Sequence, residues 1–325
     1  MKLKAGMNGF GRFGLHLLKY WIERNEKTAF KIAYINDDFL TINDAFKIIV
    51  NDKSVSFNKY KIKVVGDFLV ILEPNGNKHE IYYTNINQKS IPWIGKPDIF
   101  FECSGKYTIA KENNTLLKDK TQTVLISATS WDAEKTIVYG FNHEEYHSNI
   151  KIASYGSCTV NAYFPFHKWI DQRYGIINSD VNVIHNIPEY QLDSNNTLNR
   201  KFCTLEKQAK MLIESCNDDN FLVNYTVVPY SGVSLIDFRF QLKNIETRDK
   251  FIKSLEEEIS QGSLKNLYGI NEKDLGPEVH NCTIFSTVFI KEGIKVIGEN
   301  VYLQGYFDNE NSVNRFYDLA QYICE

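Results

Sequence analysis

Cys158 lies in the segment Ala153-Ser-Tyr-Gly-Ser-Cys158-Thr-Val-Asn161, where a helix is predicted to start. A thiol at a helix start meets the positive end of the helix dipole and unpaired N–H groups, which lower its pKa and can hold an oxyanion. His185, in Val183-Ile-His185-Asn186, falls in a predicted strand and is a candidate acid/base for that thiolate. The pair has the makings of covalent catalysis at a carbonyl, with the thiolate attacking and the imidazole moving the proton. Neither residue is diagnostic alone. The chain has 6 cysteines, scattered and without a Cys-x-x-Cys pair. A free cysteine commonly serves as a small core side chain, and a strand histidine commonly serves as a satisfied polar group.

A second group of residues could hold a cofactor. Gly9-Phe10-Gly11-Arg12-Phe13-Gly14 fits G-x-G-x-x-G between a predicted strand and a predicted helix. In that context the glycines allow a tight turn and bring a pyrophosphate close to backbone N–H groups at a helix start. Asn36-Asp37-Asp38 ends the next strand, with Asp37 about 20 positions beyond Gly14. A carboxylate there accepts hydrogen bonds from an adenosine ribose diol and repels a 2′-phosphate, which favours NAD over NADP. The alternatives are a structural glycine turn and a surface aspartate.

The elements that must position these residues follow from hydrophobic periodicity. In the first half, strands at 2–8, 30–35, 98–103, 123–127 and 136–139 alternate with helices at 13–24, 44–50 and 109–118. A hairpin covers 60–65 and 68–73. In the second half a helix at 158–174 precedes strands at 180–187, 223–228, 232–242, 283–289 and 300–306. Helices are read at 245–259 and 312–323. The pattern implies an α/β fold: a Rossmann-type doubly wound sheet plus an α+β catalytic domain with a mainly antiparallel sheet. We place the dinucleotide-binding domain at 1–157 and the catalytic domain at 158–311, with the C-terminal helix 312–325 packing back on the first.

The chain has 325 residues, 43% hydrophobic and 24% charged, with a formal net charge of −3. That balance gives no bulk electrostatic reason to bind nucleic acid or a membrane surface. No apolar run approaches the length of a membrane span, and the N-terminus does not read as a secretory signal. A cytoplasmic protein with free thiols is expected. The sequons at Asn113 and Asn195 should then remain unglycosylated.

Across essentially its whole length the chain resembles the glyceraldehyde-3-phosphate dehydrogenase family. The anchors are the loop Asn8 to Gly14, Ile35-Asn-Asp37, Glu102-Cys-Ser-Gly105, Ile126-Ser-Ala128 and Gly140 to Tyr146. They continue with Ser157-Cys-Thr-Val-Asn161, His185, Tyr306-Phe-Asp-Asn-Glu310, and Asn314-Arg315. The resemblance implies that Cys158 is the nucleophile, that His185 assists, and that Ser157 and Thr159 flank the substrate. It implies that Asn309 holds the nicotinamide carboxamide. Arg12, Phe13, Ser104, Gly105, Ser127 and Ala128 would line an NAD site. The partner is a small aldehyde or acyl substrate, and the chain is expected to form a homo-oligomer, tetramer or dimer.

The pattern breaks at the substrate phosphate. Where the family places a phosphate-binding threonine, this chain has Pro188, and where it places an arginine before Val-Pro, Val227. The intervening loop looks shortened. These changes imply the family's reaction on an aldehyde other than glyceraldehyde 3-phosphate. Two alternatives stand: a phosphorylating dehydrogenase of a phosphorylated sugar aldehyde with rebuilt ligands, here Arg200, Lys201 or Arg239, and a non-catalytic nucleotide-binding relative. His143-Glu-Glu-Tyr-His147 matches H-E-x-x-H, but it follows a strand and turn instead of lying in a long helix. No metal is expected.

Overall fold

The alternation of strands and helices in the first half builds a nine-stranded sheet. In chain order its strands are β1 (Leu3–Asn8), β2 (Phe30–Asn36), β3 (Lys61–Val65), β4 (Phe68–Leu72), β5 (Lys78–Thr84), β6 (Ile99–Glu102), β7 (Thr123–Ile126), β8 (Lys135–Thr136) and β9 (Ile152–Ser154). They lie in the order β3-β4-β5-β2-β1-β6-β7-β9-β8. The pairings from β5 across to β8 are parallel, and β3, β4 and β5 are joined antiparallel. Helices α1 (Arg12–Arg24), α2 (Ile42–Asn51) and the short α3 (Ala110–Asn113) belong to this half. Strand order reverses between β1 and β6, with successive strands added on one side of β1 and then on the other, the switch point where open α/β sheets bind ligands at their carboxyl ends.

The computed structural model describes residues 2–194 and 196–325. Met1 and Asn195, the acceptor of the second sequon, lie outside the described residues. The chain divides into two compact units: Met1–Ile137 with Asn142–Gly156 and Phe316–Glu325, and Val138–Phe141 with Ser157–Arg315. Among the described residues no helix is long and apolar enough to cross a membrane.

The second unit is built on helix α4 (Cys158–Tyr174) and a mixed sheet of β10 (Ile176–His185), β11 (Asn199–Arg200), β12 (Phe221–Val227), β13 (Ser234–Leu242), β14 (Tyr268–Asn271), β15 (Thr287–Ile290), β16 (Lys295–Ile297) and β17 (Asn300–Phe307). The order is β11-β12-β10-β13-β17-β15-β14, with β16 on β17. The β10–β12 and β14–β15 pairs are parallel and the rest antiparallel. Helices α5 (Thr204–Leu212), α6 (Arg248–Gln261) and α7 (Asn309–Cys324) complete the fold.

Helix α4 is buried along most of its length. Tyr163 stacks on Phe240, and Phe166 packs on Phe238, Phe240, Tyr268 and Phe289. Aromatic rings of this size contribute large apolar area and specific ring geometry. They hold the helix, and with it the residue at its first position.

The structure departs from the expected elements in identifiable places. The helix read at 109–118 is the four-residue α3 followed by a 3-10 turn, Asn114–Leu116. Asn113 Nδ2 bonds back to the carbonyls of Tyr107 and Ile109, a local competition that shortens helices. The strand read at 136–139 shrinks to β8, while β9 takes the neighbouring place in the sheet.

Candidate active site

In the first unit the glycine loop joins the carboxyl end of β1 to α1. Gly9 has a φ of +97°, and a Cβ on it would come within 2.4 Å of the Ser104 nitrogen. A Cβ on Gly14 would lie 2.2 Å from the Gly9 carbonyl oxygen. Both positions therefore demand glycine. Around Gly11 there is nothing within 4 Å of an added Cβ, so the space above the loop is open to a ligand. Gly11 caps α1 without a side-chain bond, and the first turn has no acidic residue. An uncapped helix start facing open space is suited to a phosphate group. These residues fit a dinucleotide.

Asp37 is placed as expected and does more than expected. Its Oδ2 accepts from Phe10 N at 2.7 Å, and its Oδ1 accepts from Phe39 N and Leu40 N at 2.9 Å each. The carboxylate braces the glycine loop and leaves little acceptor capacity for a ribose. Asp37→Ala should therefore lower stability by roughly 2–4 kcal/mol, given the usual worth of charged hydrogen bonds, and narrow the preference for NAD over NADP. A urea midpoint that does not move would show that the brace is dispensable.

Several of the expected cofactor residues also brace the loop. Asn36 is wholly buried, donating to Asn8 Oδ1 and the Ile86 carbonyl. Its side-chain amide is engaged under the loop. Phe10 is likewise buried, packing on Tyr83. Glu102 collects Asn8 Nδ2 at 2.8 Å, Gln88 Nε2 at 2.6 Å and the Ser104 amide at 2.9 Å. Burial pushes its carboxyl up despite these donors. Ser104 is held there by its hydroxyl as well. Gly105 is exposed at the tip of this turn with a φ of +66°. Ser127 N donates to the Glu102 carbonyl, and the Ala128 carbonyl accepts from Ser154 Oγ. Arg12 pairs with Asp52 at 2.6 Å, and Phe13 packs edge-on against Tyr155 and Phe316.

In the second unit the expected pair is brought together. Cys158 is the first residue of α4, and Ser157 caps the helix with its Oγ accepting from Val160 N. Cys158 Sγ lies 3.7 Å from His185 Nε2. His185 Nδ1 is 2.8 Å from the Asn186 carbonyl, a contact that requires a proton on Nδ1. Nε2 therefore faces the thiol with its lone pair. The two residues are 9% and 8% exposed.

This burial overturns the expected lowering of the thiol pKa. Desolvation pushes the Cys158 thiol up, aided by nearby Cys203, Asp308 and Glu310, and the Thr159 N–H only partly offsets it. Desolvation holds His185 below its ordinary value, with the Asn186 carbonyl and Glu310 opposing. The thiol does not release a proton to solvent until above its ordinary 9.0, and the imidazole does not gain a second until below its ordinary 6.5. Between these limits one proton lies between Sγ and Nε2, besides the one fixed on Nδ1. We expect iodoacetamide modification of Cys158 to vary little with pH across that window. His185→Asn should replace the plateau with a curve rising through the alkaline range. A plain thiol titration in the parent protein would show that no proton is shared.

The surroundings of the pair were only partly legible. Ser157 Oγ lies 3.1 Å from Thr159 Oγ1 and accepts from Thr204 Oγ1 at 3.0 Å. Cys203 Sγ is 3.7 Å from Thr159 Oγ1. Sequence reasoning missed Thr204 and Cys203, which arrive on α5. Val227 sits beside His185 in the β10–β12 register, and Pro188 is exposed at the start of a 3-10 turn. Arg239 is engaged by Asp180 and Asn300. Arg200 pairs with Thr226, and the Lys201 amide bonds the Tyr225 carbonyl, so strand alternation puts Lys201 on the face of Val227. Asn309 opens α7 and is exposed.

The H-E-x-x-H segment forms a single 3-10 turn, His143–Glu145, with His143 packed on Tyr322. That geometry lacks the long helix a zincin site needs. Among the described residues no cluster of His, Cys, Asp and Glu is arranged to hold a metal ion.

A largely parallel, dinucleotide-type sheet with an open glycine loop and a mixed sheet carrying a cysteine–histidine pair define a two-unit α/β fold, a Rossmann-type unit and an α+β unit. No protein-family model matches the chain. It is similar to glyceraldehyde-3-phosphate dehydrogenase of Cochliobolus lunatus, at 29% identity over 100% of this chain and 98% of that one. It is also similar to glyceraldehyde-3-phosphate dehydrogenase 2 of Caenorhabditis briggsae, at 27% identity over 99% and 98%. The cytosolic glyceraldehyde-3-phosphate dehydrogenase of Taxus baccata is 27% identical over 95% and 93%. These full-length likenesses support membership, at a distance, of the glyceraldehyde-3-phosphate dehydrogenase family.

Proposed function

We propose that this chain is an NAD-dependent aldehyde dehydrogenase, running in either direction between an aldehyde and an acyl derivative. The observation that carries the reading is Cys158 Sγ at 3.7 Å from a His185 Nε2 whose tautomer leaves it free to accept a proton. On this reading the thiol passes its proton to His185 as Sγ attacks the aldehyde carbon, and His185 hands that proton on to the former carbonyl oxygen, giving a thiohemiacetal and a neutral imidazole. His185 then takes the hydroxyl proton as the thioester forms, and N–H groups at the start of α4 hold the developing oxyanion. NAD, which the Gly9–Gly14 loop would hold, supplies the hydride acceptor when bound. Asp37 beside the loop favours NAD over NADP by repelling a 2′-phosphate.

The substrate is proposed not to be glyceraldehyde 3-phosphate. Pro188 offers no donor, Val227 puts an apolar wall beside His185, and Arg239 is committed to Asp180. Losing two charged hydrogen bonds should weaken phosphate-dependent recognition by about two to four decades. A second reading keeps a phosphorylating reaction, and the hydroxyls of Ser157, Thr159 and Thr204 favour it as a cradle for an oxyanion acceptor. An aldehyde panel with NAD, with and without phosphate or arsenate, separates the two. Efficient glyceraldehyde 3-phosphate turnover, at a kcat/KM near roughly 10⁶ M⁻¹s⁻¹, would overturn the altered-substrate reading. Phosphate-independent turnover would overturn the phosphorylating one.

A further inference from the structure

Strand β12 carries a tyrosine that the reacting pair does not account for. Tyr225 is register partner to Val183, just below the His185–Val227 pair and on the same face. Its ring centroid lies 5.5 Å from that of His185, and Phe307 packs against the same imidazole at 5.6 Å, edge-on. The imidazole is thus gripped between two rings while its Nδ1 is tethered to Asn186. The Tyr225 phenol lies near the thiols of Cys158 and Cys203, whose ionisation would oppose its own. Its hydroxyl makes no hydrogen bond among the described residues.

We propose that Tyr225 determines specificity at this centre: its ring positions His185 against Phe307, and its hydroxyl donates a hydrogen bond to an uncharged oxygen substituent beside the aldehyde carbon. This rests on the aldehyde dehydrogenase reading above. Burial pushes the phenol up, so at neutral pH it is an O–H donor and not an anion. Asp308 and Glu310 are the acidic neighbours of Cys158, Asp308 with its carboxyl pushed well up by burial, and the cation on this face, Lys201, is exposed, so nothing buried at the pair favours an anionic group. A neutral donor beside acids suits a hydroxyl or carbonyl. A site that offers a donor to a substrate oxygen discriminates against the analogue lacking it, because the donor is then left unpaired.

The test compares glycolaldehyde with acetaldehyde, which share chain length and differ in the α-hydroxyl. It uses the full-length parent protein, Tyr225→Phe and Tyr225→Ala, with Tyr225→Leu standing in if the alanine variant does not fold. The parent should prefer glycolaldehyde, and Tyr225→Phe should lower the ratio of the two kcat/KM values by about 10–100-fold. The pH plateau for iodoacetamide modification of Cys158 should survive in Tyr225→Phe, which keeps the ring, and narrow in the alanine or leucine variant. An active parent whose ratio is unchanged by Tyr225→Phe overturns the donor role. An unchanged plateau after loss of the ring overturns the positioning role. A parent that oxidises neither aldehyde fails at the underlying reading instead and takes the donor role with it.

Discussion

Replacing Cys158 with serine should reduce aldehyde oxidation to background while NAD binding persists. Serine nearly matches cysteine in size, so the start of α4 and the Ser157 cap should be retained. What is lost is the nucleophile: a hydroxyl does not approach ionisation at neutral pH, and an imidazole at this distance cannot make up the difference in acidity. The glycine loop belongs to the other unit of the chain, so cofactor titration by fluorescence supplies an independent check on folding. Turnover that survives the substitution would remove the covalent mechanism outright.

The second large effect is expected at His185. His185→Asn should slow the chemical step by about 10²–10⁴-fold, the usual worth of a positioned acid/base. Asparagine occupies a similar volume between Tyr225 and Phe307 but has no group that cycles a proton. Single-turnover measurement with excess enzyme isolates the step from product release. A loss smaller than about threefold would assign His185 to structure alone, the packed polar role that strand histidines commonly fill.

How far the sequence foretold these features depends on the kind of signal each leaves. The glycine loop and the start of α4 were readable because spacing and local turn chemistry define them. Helix α5 was not, because its buried face carries Leu205, Gln208 and Ala209. A glutamine and an alanine interrupt the apolar stripe that marks a helix. With α5 missed, Thr204 and Cys203 could not be placed beside Ser157 and Thr159. Strands β9 and β14, of 3 and 4 residues, are too short to show a period. Asn36 and Asp37 were located correctly in the chain, but their work in bracing the loop depends on contacts with Asn8, Phe10 and Leu40 that spacing does not reveal. The lowered thiol pKa was misjudged for a related reason: a helix start is visible in a sequence, and the depth at which it is buried is not.

The parallel register of β10 and β12 has a consequence for how such a protein can change over generations. His185 and Val227 are neighbours across strands, not along the chain. One strand carries the histidine, and the next carries the valine beside it. A single codon change at 227 can therefore alter what the pocket accepts while the backbone that aims His185 at Cys158 stays paired as before. In a lineage built this way, chemistry and substrate range are separately heritable, and new substrates can be tried without first giving up the reaction.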